Sequence, residues 1–225
     1  MVRRSEAAVA IADLTLDELR LVLAPRIARA AVFDGWSREA AANAAREAGV
    51  DPDVAAYAFP GGAMDMIAAW IAHVDAAMAQ ALPAASLAGM PVHQRIRRLV
   101  RFRLEALAGQ EEALRRALAV MAMPRNAARA LGLGWRSADA MWRQAGDAAT
   151  DFNYYTKRAT LAGIYAATLA VFVDDRSEGK AESFAFLDRR LAGIGRFEKA
   201  KARFLDPQNH FSPARFLGRL RYPVR

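Results

Sequence analysis

The chain has 225 residues, 54% of them hydrophobic, with no cysteine and a formal net charge of +8. That is enough apolar material for a sizeable core; it excludes a disordered body, a disulfide framework, thiolate metal sites and cysteine nucleophiles. The longest weakly charged run, residues 159–173, is shorter than the roughly 20 apolar residues of a membrane-crossing helix, and residues 1–19 lack the apolar stretch of a secretory signal, so the expectation is an intracellular protein.

Helix signals are nearly continuous. Thr15 is placed to cap a helix whose Leu16, Leu19, Val22, Leu23 and Ile27 recur at three-to-four spacing, with Val32 and Phe33 extending that face to a stop at Asp34-Gly35. Ser37 suits the N-cap of a second helix ending at Ala48, Gly49 suits its left-handed C-cap, and Asp51-Pro52 opens a third, short helix. Three helices with a tight turn between the last two have helix-turn-helix spacing. After Pro60-Gly61-Gly62 a longer helix is predicted over 63–82, with Met64, Ile67, Ile71, Val74 and Met78 on one side, followed by a Pro, Ala, Ser and Gly linker. Residues 92–108 turn Ile96, Leu99, Val100, Leu104 and Leu107 inward and Arg95, Arg97, Arg98, Arg101 and Arg103 outward. Further helices are predicted over 111–123, 135–147, 151–173 and 183–204. No stretch alternates like a strand, so the fold class is all-α, with roughly nine or ten helices.

Helix-turn-helix spacing raises the question of DNA. The third helix offers Asp53, Val54, Ala55, Ala56 and Tyr57, none of them a side chain that reads base edges, and its aspartates oppose phosphate. Residues 35–62 hold two arginines against four acids, whereas 196–225 hold eight lysines and arginines against two acids. No nucleic acid is expected, and the head reads as scaffold packed by Trp36, Tyr57 and Phe59. Catalysis is not expected either. His73, His93 and His210 are scattered, no Glu-x-x-His pair, phosphate loop or serine elbow is present, and no metal or cofactor is implied.

Three groups of residues remain. Met121, Met123, Met141 and Trp142, with Phe102, Leu118, Leu161, Ile164, Tyr165 and Leu169, recur at helical spacing and fit either a solid core or the adaptable wall of an apolar cavity. Asp147, Asp151, Asn153, Tyr154 and Tyr155 mix acids with aromatics, as a partner surface does; for the two aspartates a helix-capping network fits as well. In the tail, Phe216, Leu217 and Leu220 fall on one stripe at about 100° per residue, flanked by Arg215, Arg219 and Arg221, with Phe211 ahead of them. That is the layout of an interfacial membrane helix. The partition expected is a head over 1–62, a helical body over 63–205 and a membrane-binding tail over 206–225.

Tyr57-Ala58-Phe59-Pro60 at the junction of a three-helix head and a larger helical body resembles the TetR family of transcriptional regulators. The block Asp139-Ala-Met-Trp-Arg-Gln-Ala-Gly-Asp147, followed by Thr150-Asp-Phe-Asn-Tyr-Tyr-Thr-Lys-Arg-Ala-Thr-Leu-Ala-Gly-Ile-Tyr165, resembles the Coq-nine family, as do Asp34-Gly35-Trp36 and Ala117-Leu-Ala-Val-Met-Ala-Met-Pro-Arg-Asn126. The resemblance covers about residues 19–191. It implies a TetR-like fold that has given up transcription and acts as a non-catalytic accessory protein of ubiquinone biosynthesis. The implied partners are a phospholipid or isoprenoid quinone lipid, the demethoxyubiquinone hydroxylase and a membrane surface. It further implies a homodimer through residues 151–173 and 183–204, peripheral to the inner membrane in a bacterium or on the matrix side in a mitochondrion. It favours the cavity for the Met and aromatic group without assigning individual residues, and the partner surface for Tyr154 and Tyr155. Tyr154 departs from the tryptophan expected there. The alternative is a ligand-responsive TetR-type repressor.

Overall fold

The structure is a computed structural model that describes residues 13–148 and 152–205. The tail positions Phe211, Arg215, Phe216, Leu217, Arg219, Leu220 and Arg221, and also Asp151, lie outside the described residues. Ten α-helices occur among those described: α1 (Leu16–Asp34), α2 (Arg38–Ala48), α3 (Pro52–Ala58), α4 (Ala63–Ala81), α5 (Ala84–Leu87), α6 (Val92–Glu105), α7 (Glu111–Met121), α8 (Ala127–Gln144), α9 (Phe152–Phe172) and α10 (Ala181–Leu205).

Local chemistry sets the ends of the first three helices. Thr15 and Glu18 form a reciprocal capping box at the start of α1, Ser37 accepts the Ala40 N–H at the start of α2, and Asp51 accepts the Asp53 N–H ahead of Pro52. Gly49 ends α2 at φ 73°, a left-handed conformation that a side chain would strain. The α1–α3 head packs onto the body through α1, which lies against both α4 and α7. Trp36 is the joint. It is buried, its ring lies 5.3 Å from that of Trp70 on α4, and its Nε1–H donates to the Ala113 carbonyl of α7 at 3.0 Å. One continuous core runs from Leu19, Leu23 and Ile27 through Met66, Ile67 and Trp70 to Leu99, Leu104, Met141 and Phe172.

Several expectations change. Phe33 is 83% exposed and Tyr57 72% exposed: in the last turn of α1 Ala31 stays in the core while Phe33 points to solvent, and the head is packed by Trp36 and Phe59 without Tyr57. Helix α8 begins at Ala127, eight residues before the expected start at Trp135. Arg103 is not on the outer side of α6; it is among the most deeply buried side chains of the protein. The linker after α4 holds the short helix α5, where Leu87 is buried. Among the described residues no single helix is long and apolar enough to cross a membrane.

The α9–α10 corner is tied by one carboxylate. Asp175 Oδ1 accepts from the Ser177 N–H at 2.8 Å and its hydroxyl at 2.5 Å, and Oδ2 accepts from the Ser183 N–H at 2.8 Å and its hydroxyl at 2.6 Å. Burial alone would raise this carboxyl, but the four donors outweigh it and hold Asp175 well below the usual carboxylate range. Asp175→Ala leaves those buried donors without their acceptor and should lower stability by about 2 kcal/mol, measurable as a drop in melting temperature at neutral pH.

Candidate functional site

Helices α4, α6, α7, α8 and α9 do not close completely on one another. They enclose a cavity of about 560 Å³, within the usual range for a small-molecule site. From α4 come Ile67, Trp70, Ile71 and Val74; α7 supplies Leu114, Ala117, Leu118 and Met121, with Ala122 just past its end; α9 supplies Ala159, Ala162, Gly163, Tyr165, Ala166 and Leu169. The α8 wall is Ala130, Leu131, Leu133, Gly134, Trp135 and Ser137, and Arg103 and Leu107 close the remaining side. Small residues on α8 and α9 make the space: where α8 passes α9, Gly134, Ala159, Ala162, Gly163 and Ala166 leave a gap that larger side chains would fill. The deep wall, including Ile67, Val74, Leu107, Leu114 and Leu133, is buried, whereas Ala122, Leu131, Ala159, Gly163 and Ala166 are exposed and form the rim. Among the described lining residues, Arg103 carries the only charge.

Of the ten positions expected to line a cavity, Leu118, Met121, Tyr165 and Leu169 are on this wall. Six are not. Met141 is fully buried in the solid core, because α8 turns it inward beside Ala138. Met123 lies past the end of α7 and is exposed. Ile164 packs against the core from the opposite side of α9. Trp142 and Leu161 line a separate pocket of about 410 Å³ between α6 and α9, with Ile96 and Leu191. Phe102 faces a polar groove with Arg97, Arg98 and Arg101. Sequence reasoning missed the α4 residues Ile67, Trp70, Ile71 and Val74, the α8 glycine and Trp135, and Arg103. The α4 face was read as core, and nothing in its spacing marks it as the wall of a void.

Beside the rim lies an aromatic cluster. The Trp135 ring is 6.3 Å from Tyr154 and 6.1 Å from Tyr155, and the two tyrosines meet edge to face at 5.1 Å. Tyr155 and Asn153 are exposed and Tyr154 is half-buried. Leu131, on the same helix as Trp135, is 76% exposed. Trp135 therefore belongs both to the cavity wall and to this outer cluster.

Asp147 does not belong to a surface. Its side chain is 6% exposed, with Oδ1 accepting from Lys157 Nζ at 2.8 Å and Oδ2 from Arg158 Nη1 at 3.0 Å. Arg158 is buried and also donates through Nε to Asp139 Oδ1 at 2.6 Å, while its guanidinium lies 3.5 Å over the Tyr154 ring. Arg143 pairs with the other Asp139 oxygen. Burial works to raise both carboxyls, but hydrogen bonds from Arg158 and Arg143 to Asp139, and from Lys157 and Arg158 to Asp147, leave each below its ordinary value. This network joins α8 to α9 under the aromatic cluster. It accounts for Asp139 and Asp147 by side-chain ion pairing; the partner-surface assignment of Asp147 is corrected.

Residues 127–198, from α8 into α10, match the COQ9 family model. The chain is 33% identical over 164 residues to the rat protein named "Ubiquinone biosynthesis protein COQ9, mitochondrial", covering 70% of this chain and 52% of the relative. The human protein of the same name is 31% identical over 164 residues, again 70% of this chain and 51% of the relative. The chain thus spans about half the length of the curated relatives it matches. In fold it is similar to a TetR transcriptional regulator from Nitrosomonas europaea, with a TM-score of 0.61 and 22% identity over 78% of this chain and 97% of that one. The fold is all-α and TetR-like. The family match falls on the helices that carry part of the cavity wall, the aromatic cluster and the Arg158 network, and over that region the chain is similar to the COQ9 family.

Proposed function

We propose that this protein is a non-catalytic accessory protein of ubiquinone biosynthesis that holds an isoprenoid quinone precursor or another membrane lipid in the α4–α9 cavity. The observation that carries the reading is the cavity itself: about 560 Å³, almost wholly apolar in lining and opening at a rim of small and apolar residues. A lipid tail entering it keeps the apolar environment it had in the bilayer; each CH₂ so shielded is worth about 0.8 kcal/mol relative to water. The curated relatives bear ubiquinone biosynthesis in their names, and that supports the choice of lipid.

Presentation to the demethoxyubiquinone hydroxylase would use Tyr154 and Tyr155 with Trp135, since a partner seated on this cluster lies beside the rim. Aromatic anchors of this kind dominate interface energies. Membrane contact is assigned to the tail segment 206–225, homodimerisation to α9 and α10, and the location is peripheral to the membrane that holds the quinone. The repressor reading finds no support in the head. Helix α3 presents Val54 and Tyr57 outward and carries no cation, so it has neither base-edge readers nor phosphate grips.

Mass spectrometry of lipids that co-purify with the protein tests the proposal. Quinone precursors or phospholipids are expected at near-stoichiometric level. Ala117→Trp fills the cavity from its deep wall and should remove them while the melting temperature stays within a few degrees. Wild-type protein free of lipid, or tight binding of a palindromic duplex at physiological salt, would overturn it.

A further inference from the structure

Large apolar side chains stand in solvent where the cavity opens. Leu131 is exposed on the rim, and Met123 is exposed next to the rim residue Ala122. About 100° per residue along α8 sets Trp135 about 40° and Ala128 about 60° from Leu131, and Arg136 about 140° from it. An arginine thus borders an apolar stripe. Arg125, in the 3-10 turn Pro124–Asn126 that leads into α8, donates to the Met123 sulfur at 3.4 Å. Arg129 pairs with Asp65, whereas among the described residues neither Arg125 nor Arg136 pairs with a carboxylate. From residue 113 to residue 138 the chain has no Asp or Glu, and α9 has none. Capacity matters too. At about 30 Å³ per non-hydrogen atom, the share of one water molecule in the liquid, a cavity of about 560 Å³ holds about twenty such atoms. A diacyl phospholipid or a long-chain isoprenoid is larger, so part of it remains outside the rim.

We infer that this face, Met123, Ala128 and Leu131 with Arg125 and Arg136, seats the cavity mouth on an anionic lipid bilayer. A lipid too long to be enclosed stays threaded from the cavity into the acyl layer. This rests on the reading of the cavity as a lipid site and adds how the site is loaded; it is a second membrane contact, separate from the tail. Charge and chemistry select a bilayer over a protein. The two arginines without a carboxylate complement anionic headgroups. Leu, Met and Ala side chains insert at an acyl boundary, but they offer a protein partner no directional hydrogen bond to fix its register. Continuity with the cavity points the same way. Acyl chains laid against the rim keep the passage apolar, whereas a mouth open to water exposes every CH₂ that crosses it. The Tyr154 and Tyr155 cluster is not part of this face.

The chain has no cysteine, so one introduced cysteine carries a unique nitrobenzoxadiazole label on the full chain. Labels at Ala128→Cys and Met123→Cys, neither on the cavity wall, should brighten on vesicles of equal parts phosphatidylglycerol and phosphatidylcholine and be quenched by tail-brominated lipid. A label at Phe33→Cys, exposed on the head, should not change, and vesicles of phosphatidylcholine alone should give little response. Arg125→Gln with Arg136→Gln should raise the vesicle concentration for half-response at Ala128 about thirtyfold, the effect of two cations near an anionic surface. Leu131→Glu, at an exposed position, should abolish the response. Silent labels at Met123 and Ala128 on vesicles that co-sediment with the protein overturn the inference and leave the tail as the membrane contact; an equal response at all three positions overturns it too. Equal responses on neutral and anionic vesicles overturn the part given to the arginines. A response to poly-glutamate but not to vesicles assigns the face to an acidic protein and overturns the bilayer. Co-purified lipid with silent labels leaves the cavity reading standing, whereas responding labels on protein that retains no lipid remove the cavity reading and the threading but not the seat on the bilayer.

Discussion

Replacing Arg158 with methionine should lower folding stability by about 3–5 kcal/mol, because it removes the buried cation that two carboxylates share and leaves Asp139 and Asp147 with only the more exposed Arg143 and Lys157. Arg158 is 2% exposed in its side chain, Asp139 12% and Asp147 6%, so water screens little of the loss. Urea denaturation at pH 7 gives the value directly; a loss under about 1 kcal/mol, the range of solvent-exposed pairs, would show that the network is solvated. Acid carries a second signature. Both carboxyls titrate below their ordinary value of 3.8 in the folded protein. Their stabilisation is therefore fully present above the unfolded value and is lost as pH falls through the lower folded values. Wild-type stability should hold down to about pH 5 and fall steeply below about pH 4. In Arg158→Met the partly desolvated carboxylates gain from protonation, so the same acid step should cost the variant less than it costs the wild type.

Trp36→Ala should cost a comparable about 3–5 kcal/mol, for a different reason. The indole is the packing joint between the head and the body: it packs at a tilt against Trp70 and donates to the Ala113 carbonyl of α7. Removing it opens a cavity against both α4 and α7 at once. Trp36→Phe retains most of the buried ring and loses only the donor, and should cost about 1–2 kcal/mol. Melting curves of the three proteins rank them, and limited proteolysis locates the effect, since cleavage in the Pro60–Gly62 junction should appear first in Trp36→Ala. Equal melting temperatures for Ala and wild type would mean that the head is held by α1 alone.

Much of the head was legible because its signals are local. Thr15 with Glu18, Ser37, Gly49 and Asp51-Pro52 each specify a helix end by side-chain reach or by φ, with no knowledge of the rest of the chain. Helix α8 was mis-started because Gly132 and Gly134 each weaken an isolated helix by about 1 kcal/mol; packing against α4 and α9 overrides that cost. Arg103 shows a different failure. It falls three residues after Val100 and four after Leu99, on the apolar face of α6, so the periodicity placed it inward; its charge was allowed to overrule the spacing. The cavity was the least legible feature. A wall and a core use the same residues at the same spacing, and the difference is a gap between helices distant in sequence. Only Leu118, Met121, Tyr165 and Leu169 of the ten lining positions were placed on it.

The Asp175 corner has a consequence for motion. Four hydrogen bonds converge on one carboxylate from Ser177 and Ser183, spanning the turn and the first residues of α10. They share an acceptor, so none can be broken far without disturbing the others. The start of α10 is thereby coupled to the end of α9 as one cooperative opening unit, and amide hydrogens at Ser177 and Ser183 should exchange with solvent at a common rate although a helix start ordinarily frays first.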